Sequence, residues 1–266
     1  MIKLIATDMD GTLLNDEKKI DDSFWEVHKR LTELGIHFVV ASGRQYFNIR
    51  KNFERINKNL MIMAENGAII MEDEKEIFSK TLSKEDAIEL IKVGRTIPTA
   101  NLIFCGKKKA YLEDDEPNFL EEVKKYYERY EIVEDITKVD DEALKITICD
   151  LTGAEKNTYP YYKDYYDKFK VAVSGEIWVD VVDKNINKGI ALASLQKKLG
   201  IKKSETMVFG DYLNDYELIG QGDYSFAMEN AHPELKKIAK YNGGDNNRAG
   251  VVENIKKYVL DREIKN

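Results

Sequence analysis

The chain has 266 residues, of which 43% are hydrophobic and 33% charged, as in a globular protein with a substantial core. Its formal net charge of -7 argues against a nucleic-acid surface, and its longest apolar runs are only strand-length, which argues against a membrane span. Cys105 and Cys149 each lie in an apolar strand-like run, so we interpret them as buried hydrophobic residues and not as a disulfide or metal pair. Removal of a signal peptide would also remove Asp8 and Asp10, and we therefore expect a cytoplasmic protein.

The first apolar run, residues 2–6, predicts a buried strand that leads into two aspartates, Asp8 and Asp10. Side chains two residues apart on a strand point the same way, so the two carboxylates are expected to lie close together. Such proximity is costly unless a cation lies between them or one is protonated. Gly11 allows a tight turn, and Thr12 adds a hydroxyl donor. Taken alone, this short acidic motif is equally consistent with a solvated turn.

Strands and helices alternate through the first 68 residues. Ser23 and Glu26 have the spacing of a capping box, and Gly35 is placed to end the helix that follows. Strands separated by helices of this length predict right-handed βαβ units in a parallel sheet, whose ligands bind at the carboxyl ends of the strands. After the first strand, the predicted elements are a helix from Ser23, a strand at 36–41 that ends in Ser42-Gly43-Arg44, a helix reaching about residue 56, and a strand at 60–64 that ends in Glu65-Asn66-Gly67.

From about residue 69 the strict alternation stops. The charged residues 72–76 lie between two short apolar runs, which predicts a hairpin, and Ser83 with Asp86 starts another helix. Several strands with helices between them then predict an α+β insert with an antiparallel sheet. The tyrosine-rich segment 159–166 could line a substrate surface, but a helix that packs its aromatic face on the sheet of the insert is the favoured interpretation. The further elements predicted here are strands at 101–104, 110–112, 144–149, 170–173 and 177–182, and a helix at 118–130.

The alternation returns after Lys184. Lys188-Gly189 opens an amphipathic helix that ends at Gly200, and the strand 206–209 leads into Gly210-Asp211-Tyr212-Leu213-Asn214-Asp215. The predicted fold is therefore of the α/β class, a doubly wound and mostly parallel sheet formed by residues 1–81 and 185–266, with a smaller α+β domain inserted at 82–184. The last predicted elements are a short helix after Asp215, a strand at 224–228, a helix at 232–239, a loop at 242–247 and a helix at 251–259.

Polar groups at these strand ends predict phosphate chemistry. Carboxylate and carbonyl oxygens suit Mg²⁺, a lysine acts as a point charge on phosphate, and serine with turn amides adds hydrogen bonds. A site this acidic would repel phosphate without a metal. Each group alone has an ordinary explanation as a turn residue, a solvated helix start or an N-cap, whereas together and in this order they indicate a site. The groups are Asp8, Asp10, Ser42, Lys188, Asp211, Asn214 and Asp215.

The four segments around these residues resemble the ordered motifs of the haloacid dehalogenase (HAD) superfamily. The Cof-type phosphatase branch, which carries an inserted α+β cap, is the closest match, and the resemblance covers essentially the whole chain. Residues 65–68 and 227–231 resemble further stretches of that branch. Tyr212 and the Tyr216-Glu217 pair are bulkier or more polar than its pattern.

The resemblance implies a role for each matching residue. Asp8 would be the nucleophile that takes the phosphoryl group, and Asp10 would protonate the leaving oxygen and then activate water, so it would be protonated at the start of the cycle. Mg²⁺ would be held by the Asp8 carboxylate, the Asp10 backbone carbonyl and Asp211, while Asp215 orients Lys188 or a metal-bound water. The groups assigned to phosphate or substrate are Thr12, Ser42, the Gly43 amide, Asn66, Lys188 and Asn214.

The predicted function is a Mg²⁺-dependent phosphatase that hydrolyses small phosphomonoesters, such as sugar phosphates, with a mobile cap that excludes water. We expect a small phosphorylated metabolite as partner and neither nucleic acid nor membrane. A phosphomutase or phosphotransferase would use the same aspartyl-phosphate. A regulatory phosphoacceptor module like a receiver domain shares the acidic residues and the lysine but is much shorter. A catalytically inactive relative is a further alternative, against which the four complete motifs argue.

Overall fold

The computed structural model describes residues 1–261. The chain divides into two compact units. One, here called the core unit, comprises Met1–Phe78 and the segment that starts at Asn187, and the other, the inserted unit, comprises Ser79–Ile186. Among the described residues, no helix is both long enough and apolar enough to cross a membrane.

The core unit is built on an eight-stranded sheet. The strands are β1 Leu4–Asp8, β2 His37–Ala41, β3 Leu60–Ala64, β4 Ile69–Glu72, β5 Lys75–Ser79, β12 Thr206–Gly210, β13 Tyr224–Ala227 and β14 Tyr241–Asn242. Their order across the sheet is β14-β13-β12-β1-β2-β3-β4-β5. The pairs from β14 through to β3 are parallel, and β4 joins β3 in antiparallel orientation. The helices are α1 Ser23–Glu33, α2 Tyr46–Lys51, α6 Lys188–Leu199, α7 Tyr216–Ile219, α8 Pro233–Ile238 and α9 Gly250–Ile255, the last continued by a wide turn at Lys256–Leu260.

The register of the parallel strands brings their carboxyl ends to one edge. Asp8 at the end of β1 lies opposite Ala41 at the end of β2, and Ala41 lies opposite Met63 in β3. On the other side of β1, Thr7 lies opposite Phe209 in β12. Segments that leave these four strands therefore start beside one another, which places their polar side chains in one region.

The inserted unit has a six-stranded sheet with the order β10-β11-β9-β6-β7-β8, antiparallel except for the β7–β8 pair. Successive side chains of β9 point to opposite faces, so Ile146 and Ile148 pack in one apolar cluster and Cys149 in another. Cys105 and Cys149 are buried thiols, as the sequence predicts. The elements are β6 Ala100–Gly106, β7 Ala110–Leu112, β8 Tyr130–Ile132, β9 Ala143–Asp150, β10 Phe169–Gly175, β11 Trp178–Asp183, α3 Lys84–Gly94, α4 Pro117–Tyr126 and α5 Ala154–Asn157.

These two units confirm the predicted fold class, an α/β protein with a mostly parallel sheet and an inserted α+β part. The hairpin of β4 and β5 and the Ser83 cap are also confirmed, since the Ser83 hydroxyl oxygen accepts the Asp86 N–H at 3.1 Å. The assignment of residues 82–184 to a cap stays a prediction.

Several local predictions from the sequence are wrong. Ser23 is not an N-cap, because its N–H and hydroxyl both donate to the carboxylate of Asp21 and the helix begins at Ser23 itself. The helix α2 stops at Lys51, well before residue 56, where the Arg50 guanidinium donates to the carbonyls of Phe53 and Ile56 and closes an irregular turn. The helix predicted to reach residue 130 ends at Tyr126, and the short strands β8 and β14 pair with β7 and β13 where the sequence predicts no strand.

The tyrosine-rich segment forms a 3₁₀ helix, Tyr159–Tyr165, and not an α-helix. Tyr162 is fully buried and its hydroxyl donates to the Leu90 carbonyl at 3.1 Å, while Tyr165 packs against the same apolar cluster. The prediction that this aromatic face packs on the inserted unit is therefore confirmed.

Candidate active site

A buried lysine lies at the centre of the carboxyl edge of the core sheet. Lys188, the first residue of α6, is 0% exposed, and its ammonium group lies 2.5 Å from Asp8 Oδ1 and 2.6 Å from Asp215 Oδ1. Burial alone lowers the pKa of Lys188, but the charges of Asp215 and Asp8 more than offset this effect and raise its pKa above the usual range. Lys188 is therefore a permanent cation that joins two carboxylates.

The sequence allows this lysine to lie so deep because the next residue is glycine. A Cβ on Gly189 would overlap the backbone carbonyl of Glu217 in α7. The Asn187 side chain caps α6, since its Oδ1 accepts the Ile190 N–H at 2.8 Å. The start of α6 is thus fixed in position together with Lys188.

Asp215 connects Lys188 to the loop that carries Asp211. Its Oδ2 accepts the backbone N–H groups of Asp211 and Tyr212, at 3.1 and 3.3 Å, while Oδ1 accepts from Lys188. Both oxygens are thus used within the protein, so Asp215 acts on Lys188 and on the loop.

Asp211 is held on both oxygens by neutral donors. The Thr12 hydroxyl donates to Oδ1 at 3.1 Å, and the Asn230 amide donates to Oδ2 at 3.2 Å and to the Gly11 carbonyl at 2.9 Å. Gly11 has φ +78°, and a Cβ at this position would overlap the Asp211 carboxylate, so glycine is required here on both counts. Burial, followed by the charge of Asp215, raises the pKa of Asp211 to about 6.

The pKa of the Asp8 carboxyl group is also raised. Asp8 is 5% exposed, and burial together with the charge of Asp215 raises its pKa well above the usual range, although Lys188 acts in the opposite direction. One ammonium group is thus too little positive charge for the three carboxylates around it.

The donor set of this cluster fits a hard divalent cation. Asp8, Asp211 and Asp215 each present a carboxylate oxygen within 4.8 Å of the others. Oxygen ligands are those that Mg²⁺ prefers, and the shortage of positive charge is what such an ion would relieve. Asp215 accepts the Lys188 ammonium on one oxygen and two backbone N–H groups on the other, whereas each Asp211 oxygen accepts one neutral side-chain donor. Asp8 and Asp211 therefore have more acceptor capacity left for a cation.

A second set of polar groups follows β2 and β3. Ser42 is buried, and its Oγ accepts the Arg44 N–H at 3.2 Å. Asn66 has a left-handed backbone (φ 53°), which brings its amide against Gly43, and its Oδ1 accepts from the Asn214 amide at 3.2 Å. The structure therefore brings Ser42, Gly43, Asn66 and Asn214 together, and a strained backbone at Asn66 is the kind of feature that marks functional sites.

Asp10 is arranged differently from the sequence expectation. β1 ends at Asp8, so Asp10 lies beyond the strand, where the alternation of side chains no longer applies. Instead of sharing one cation with Asp8, Asp10 has its own, because its carboxylate accepts from Arg44 at 2.6 and 2.8 Å and from Lys18 at 3.2 Å. Thr12 donates to Asp211, which gives its hydroxyl a function in holding a carboxylate.

Two residues of the site, Arg44 and Asn230, were not predicted from the sequence to have a role. Both lie within the segments that carry the resemblance, directly after Ser42-Gly43 and within residues 227–231. A cation that follows a strand at the same sheet edge as an aspartate is the signal that could have identified Arg44.

Paired aspartates and a buried lysine at the carboxyl edge of a doubly wound sheet define an α/β enzyme site. The family model described as haloacid dehalogenase-like hydrolase matches residues 5–255. The chain belongs to the family of haloacid dehalogenase-like hydrolases.

Curated relatives and solved structures agree with this family. The chain is 35% identical to 5-amino-6-(5-phospho-D-ribitylamino)uracil phosphatase YbjI of Escherichia coli (strain K12), over 99% of this chain and 97% of that protein. It is 28% identical to YcsE of Bacillus subtilis (strain 168), a phosphatase named for the same compound, over 97% and 96% of the two chains. The crystal structure of SMU.1108c from Streptococcus mutans UA159 matches with a TM-score of 0.84 at 29% identity, over 98% of this chain and 100% of that chain. The prediction of a HAD-type phosphatase is thus confirmed.

Proposed function

We propose that this phosphatase hydrolyses a small phosphomonoester with Mg²⁺ and through an aspartyl-phosphate on Asp8. The observation that carries the proposal is the acidic cluster itself, in which Lys188 touches Asp8 and Asp215 while the pKa values of Asp8 and Asp211 are both raised. A structural ion pair would balance its charges, whereas this cluster has an excess of negative charge that a metal ion and a phosphate would use.

The Asp8 carboxylate, the Asp211 carboxylate and the backbone carbonyl of Asp10 would hold the ion. When bound, Mg²⁺ would supply the positive charge that allows an anionic phosphate to approach the carboxylates. Thr12 and Asn230 keep the Asp211 oxygens in place for this purpose.

Asp8 is the nucleophile in the first half of the reaction. A carboxylate oxygen of Asp8 forms a bond to phosphorus, and the bond between phosphorus and the leaving oxygen breaks, with its electron pair going to that oxygen. Asp10 transfers a proton to the leaving oxygen, so that an alcohol departs and Asp10 is left as a carboxylate.

Water completes the cycle. Asp10 takes a proton from water, the water oxygen attacks phosphorus, and the bond from phosphorus to Asp8 breaks to give inorganic phosphate and the free Asp8 carboxylate. Asp10 regains the proton that it lost, and no further oxidant or reductant is needed.

The polar groups at the neighbouring strand ends would bind the phosphoryl oxygens. The Ser42 hydroxyl, the Gly43 N–H and the Lys188 ammonium are donors at the same sheet edge, and the linked amides of Asn66 and Asn214 are the next candidates. Asp215 would orient Lys188, because it holds the lysine at 2.6 Å with one oxygen and the loop with the other.

The names of the relatives support a specific first substrate. Two relatives, 35% and 28% identical, are both named 5-amino-6-(5-phospho-D-ribitylamino)uracil phosphatase. We propose this compound, a ribityl phosphate attached to a pyrimidine, as the substrate of the present protein. Because the named relatives are phosphatases, water is the proposed acceptor and not a second sugar hydroxyl.

Release of inorganic phosphate from this compound and from a panel of sugar phosphates tests the proposal. We expect turnover that needs Mg²⁺ and is lost in Asp8→Asn. Turnover of sugar phosphates alone would support the chemistry and reject the pyrimidine substrate. A folded Asp8→Asn protein with wild-type activity would reject the aspartyl-phosphate, and activity that survives removal of all divalent metal would reject the role of Mg²⁺.

A further inference from the structure

Arg44 makes a bidentate contact with the Asp10 carboxylate, and none of the roles proposed above accounts for it. Its Nε donates to Asp10 Oδ2 at 2.8 Å and its Nη2 donates to Oδ1 at 2.6 Å. This parallel pair of hydrogen bonds fixes the plane of the carboxyl group, and not merely its distance from the cation.

Arg44 is itself held in place. Its Nη1 donates to Asn48 Oδ1 at 3.2 Å, its N–H donates to the Ser42 hydroxyl oxygen, and its carbonyl accepts the Glu65 N–H at 3.1 Å. The side chain is 23% exposed, so most of it is packed within the protein. A guanidinium that is anchored at both its backbone and its far end can impose an orientation on a partner.

Lys18 contacts the same carboxyl group without these properties. Its ammonium reaches Asp10 Oδ1 at 3.2 Å through a side chain that is 60% exposed. A single contact from a flexible, solvated lysine adds little energy and little orientation. Lys18 is therefore a natural control for Arg44.

The contacts also distinguish the two oxygens of Asp10. Oδ1 accepts from both Arg44 and Lys18, whereas among the hydrogen bonds of the described residues Oδ2 accepts only the Arg44 Nε bond. A carboxylate oxygen has about two acceptor sites, so Oδ2 keeps one for a further proton.

We propose that Arg44 is the positioning residue of the reaction and holds Asp10 so that its Oδ2 exchanges the proton with the leaving oxygen and with water. The inference rests on the acid and base role of Asp10 in the proposed function. In this scheme Arg44 contacts Asp10 and not the substrate, and it acts through the orientation of the Asp10 carboxyl group. An arginine that instead bound the substrate phosphate would act on substrate affinity and not on proton transfer.

Two substrates with different leaving groups test this role. 4-Nitrophenyl phosphate loses a stabilised phenolate that needs no proton, whereas ribitol 5-phosphate loses an alkoxide that must be protonated. Single-turnover release of the alcohol or phenol, with enzyme in excess and Mg²⁺ present, isolates the first half of the reaction. The variants are Arg44→Ala, Arg44→Lys, Asp10→Asn and the matched control Lys18→Met, each first checked for folding by circular dichroism and thermal unfolding.

We expect Arg44→Ala to slow release from ribitol 5-phosphate about 10- to 100-fold more than release from 4-nitrophenyl phosphate, with KM in separate steady-state assays nearly unchanged. Arg44→Lys keeps the positive charge but loses the two parallel hydrogen bonds to Asp10, so release from ribitol 5-phosphate should remain slow. This variant also tests the proposal if Arg44→Ala does not fold. Lys18→Met removes a charge from Asp10 but leaves the paired hydrogen bonds of Arg44 in place, so any change in rate should be similar for the two substrates.

The results separate failure of this inference from failure of the proposed function. If Asp10→Asn shows the split between substrates and the folded Arg44 variants slow both substrates equally, raise KM alone or behave as wild type, Arg44 does not position Asp10. Full activity of Arg44→Lys would show that charge and not orientation matters, which also overturns the inference. If Asp10→Asn itself shows no split, the acid role of Asp10 is wrong and the inference falls with it.

Discussion

Each unit of this protein buries a lysine beside an aspartate, and the two sites differ in their balance of charge. In the core unit, Lys188 is 0% exposed and lies 2.5 and 2.6 Å from two carboxylates, with a third carboxylate, that of Asp211, in the same cluster. In the inserted unit, Lys145 is 5% exposed and lies 3.3 Å from Asp180, whose other oxygen accepts from the Thr147 hydroxyl at 2.6 Å.

Burial of charge alone therefore does not identify a functional site. Lys145 and Asp180 form a buried pair of one positive and one negative charge, and such a pair adds little net stability because desolvation cancels most of the attraction. In the core cluster, burial is the largest cause of the raised pKa values of Asp8 and Asp211, and the neighbouring carboxylates raise both further because Lys188 alone does not neutralise them. The excess of carboxylates around Lys188, and not burial alone, is what distinguishes the core cluster as a candidate functional site.

The largest expected effect comes from removing one negative charge in each region. Asp8→Asn should lower kcat by about 10⁴-fold or more, because it removes the nucleophile, and should leave the metal-free protein as stable or more stable, because it relieves repulsion. The matched change Asp180→Asn should leave kcat within a few fold and destabilise the protein, since it removes a negative charge that lies 3.3 Å from the buried Lys145 ammonium. Phosphate-release kinetics and urea unfolding measure the two effects. Loss of stability in Asp8→Asn larger than in Asp180→Asn would contradict the charge argument.

Removal of whole pairs sharpens the comparison. Lys145→Met with Asp180→Leu should stay within about 2 kcal/mol of the wild type in unfolding free energy and remain active, because a pair of apolar side chains can replace a buried ion pair. Lys188→Met with Asp215→Leu should be inactive, since both the cation and the anchor of the Asp211 loop are lost. Activity in the second double variant would show that this cluster is structural as well.

The excess charge also predicts how stability depends on pH. The folded protein raises the pKa of Asp211 to about 6, so between about pH 4 and 6 it binds more protons than the unfolded chain. Stability of the metal-free protein should therefore fall as pH rises through this interval, by an amount on the order of 1–3 kcal/mol, and Asp8 acts in the same direction. Urea unfolding at a series of pH values, with Asp211→Asn as control, measures this slope. A wild-type slope equal to that of the control would contradict the prediction.

Binding of Mg²⁺ should offset the loss of folding stability that ionised Asp8 and Asp211 cause in the metal-free protein. At pH 7 the carboxylates are ionised at a cost in folding free energy, and an ion that binds the folded state stabilises it by mass action. We expect millimolar MgCl₂ to raise the thermal midpoint of the wild type, to leave that of Asp211→Asn nearly unchanged, and to raise that of Asp180→Asn as in the wild type. A similar rise in Asp211→Asn would place the ion elsewhere.

The sequence predicted the core fold well because its hydrophobic strands alternate with helices and end in polar residues. Asp8 ends such a strand and Ser42, Asn66 and Asp211 come directly or one residue after one, and parallel topology then requires that they meet at one edge. The contact between Asn66 and Asn214 and the position of Lys188 are consequences of that topology.

Details that depend on competing side chains could not be predicted in this way. The Asp21 carboxylate takes the hydrogen bonds that a Ser23 cap would make, and Arg50 ends a helix that the apolar pattern would continue. The pairing of Asp10 with Arg44 depends on where β1 ends, at Asp8, which differs by two residues from the end of the apolar run. Such choices among nearby donors and acceptors are decided by geometry that spacing alone does not contain.

The smallest expected difference concerns the helix caps of the two units. Ser83 caps α3 and Asn187 caps α6 through equivalent side-chain contacts, at 3.1 and 2.8 Å, so Ser83→Ala and Asn187→Ala should each cost about 1 kcal/mol of unfolding free energy. Only Asn187 precedes Lys188, and loosening the first turn of α6 should displace the ammonium group from Asp8. We therefore expect kcat to fall several fold in Asn187→Ala and to stay unchanged in Ser83→Ala, in steady-state assays at saturating Mg²⁺. Equal loss of stability with equal kcat in the two variants would mean that Asp8 and Asp215 alone hold the lysine in place, without help from the helix that carries it.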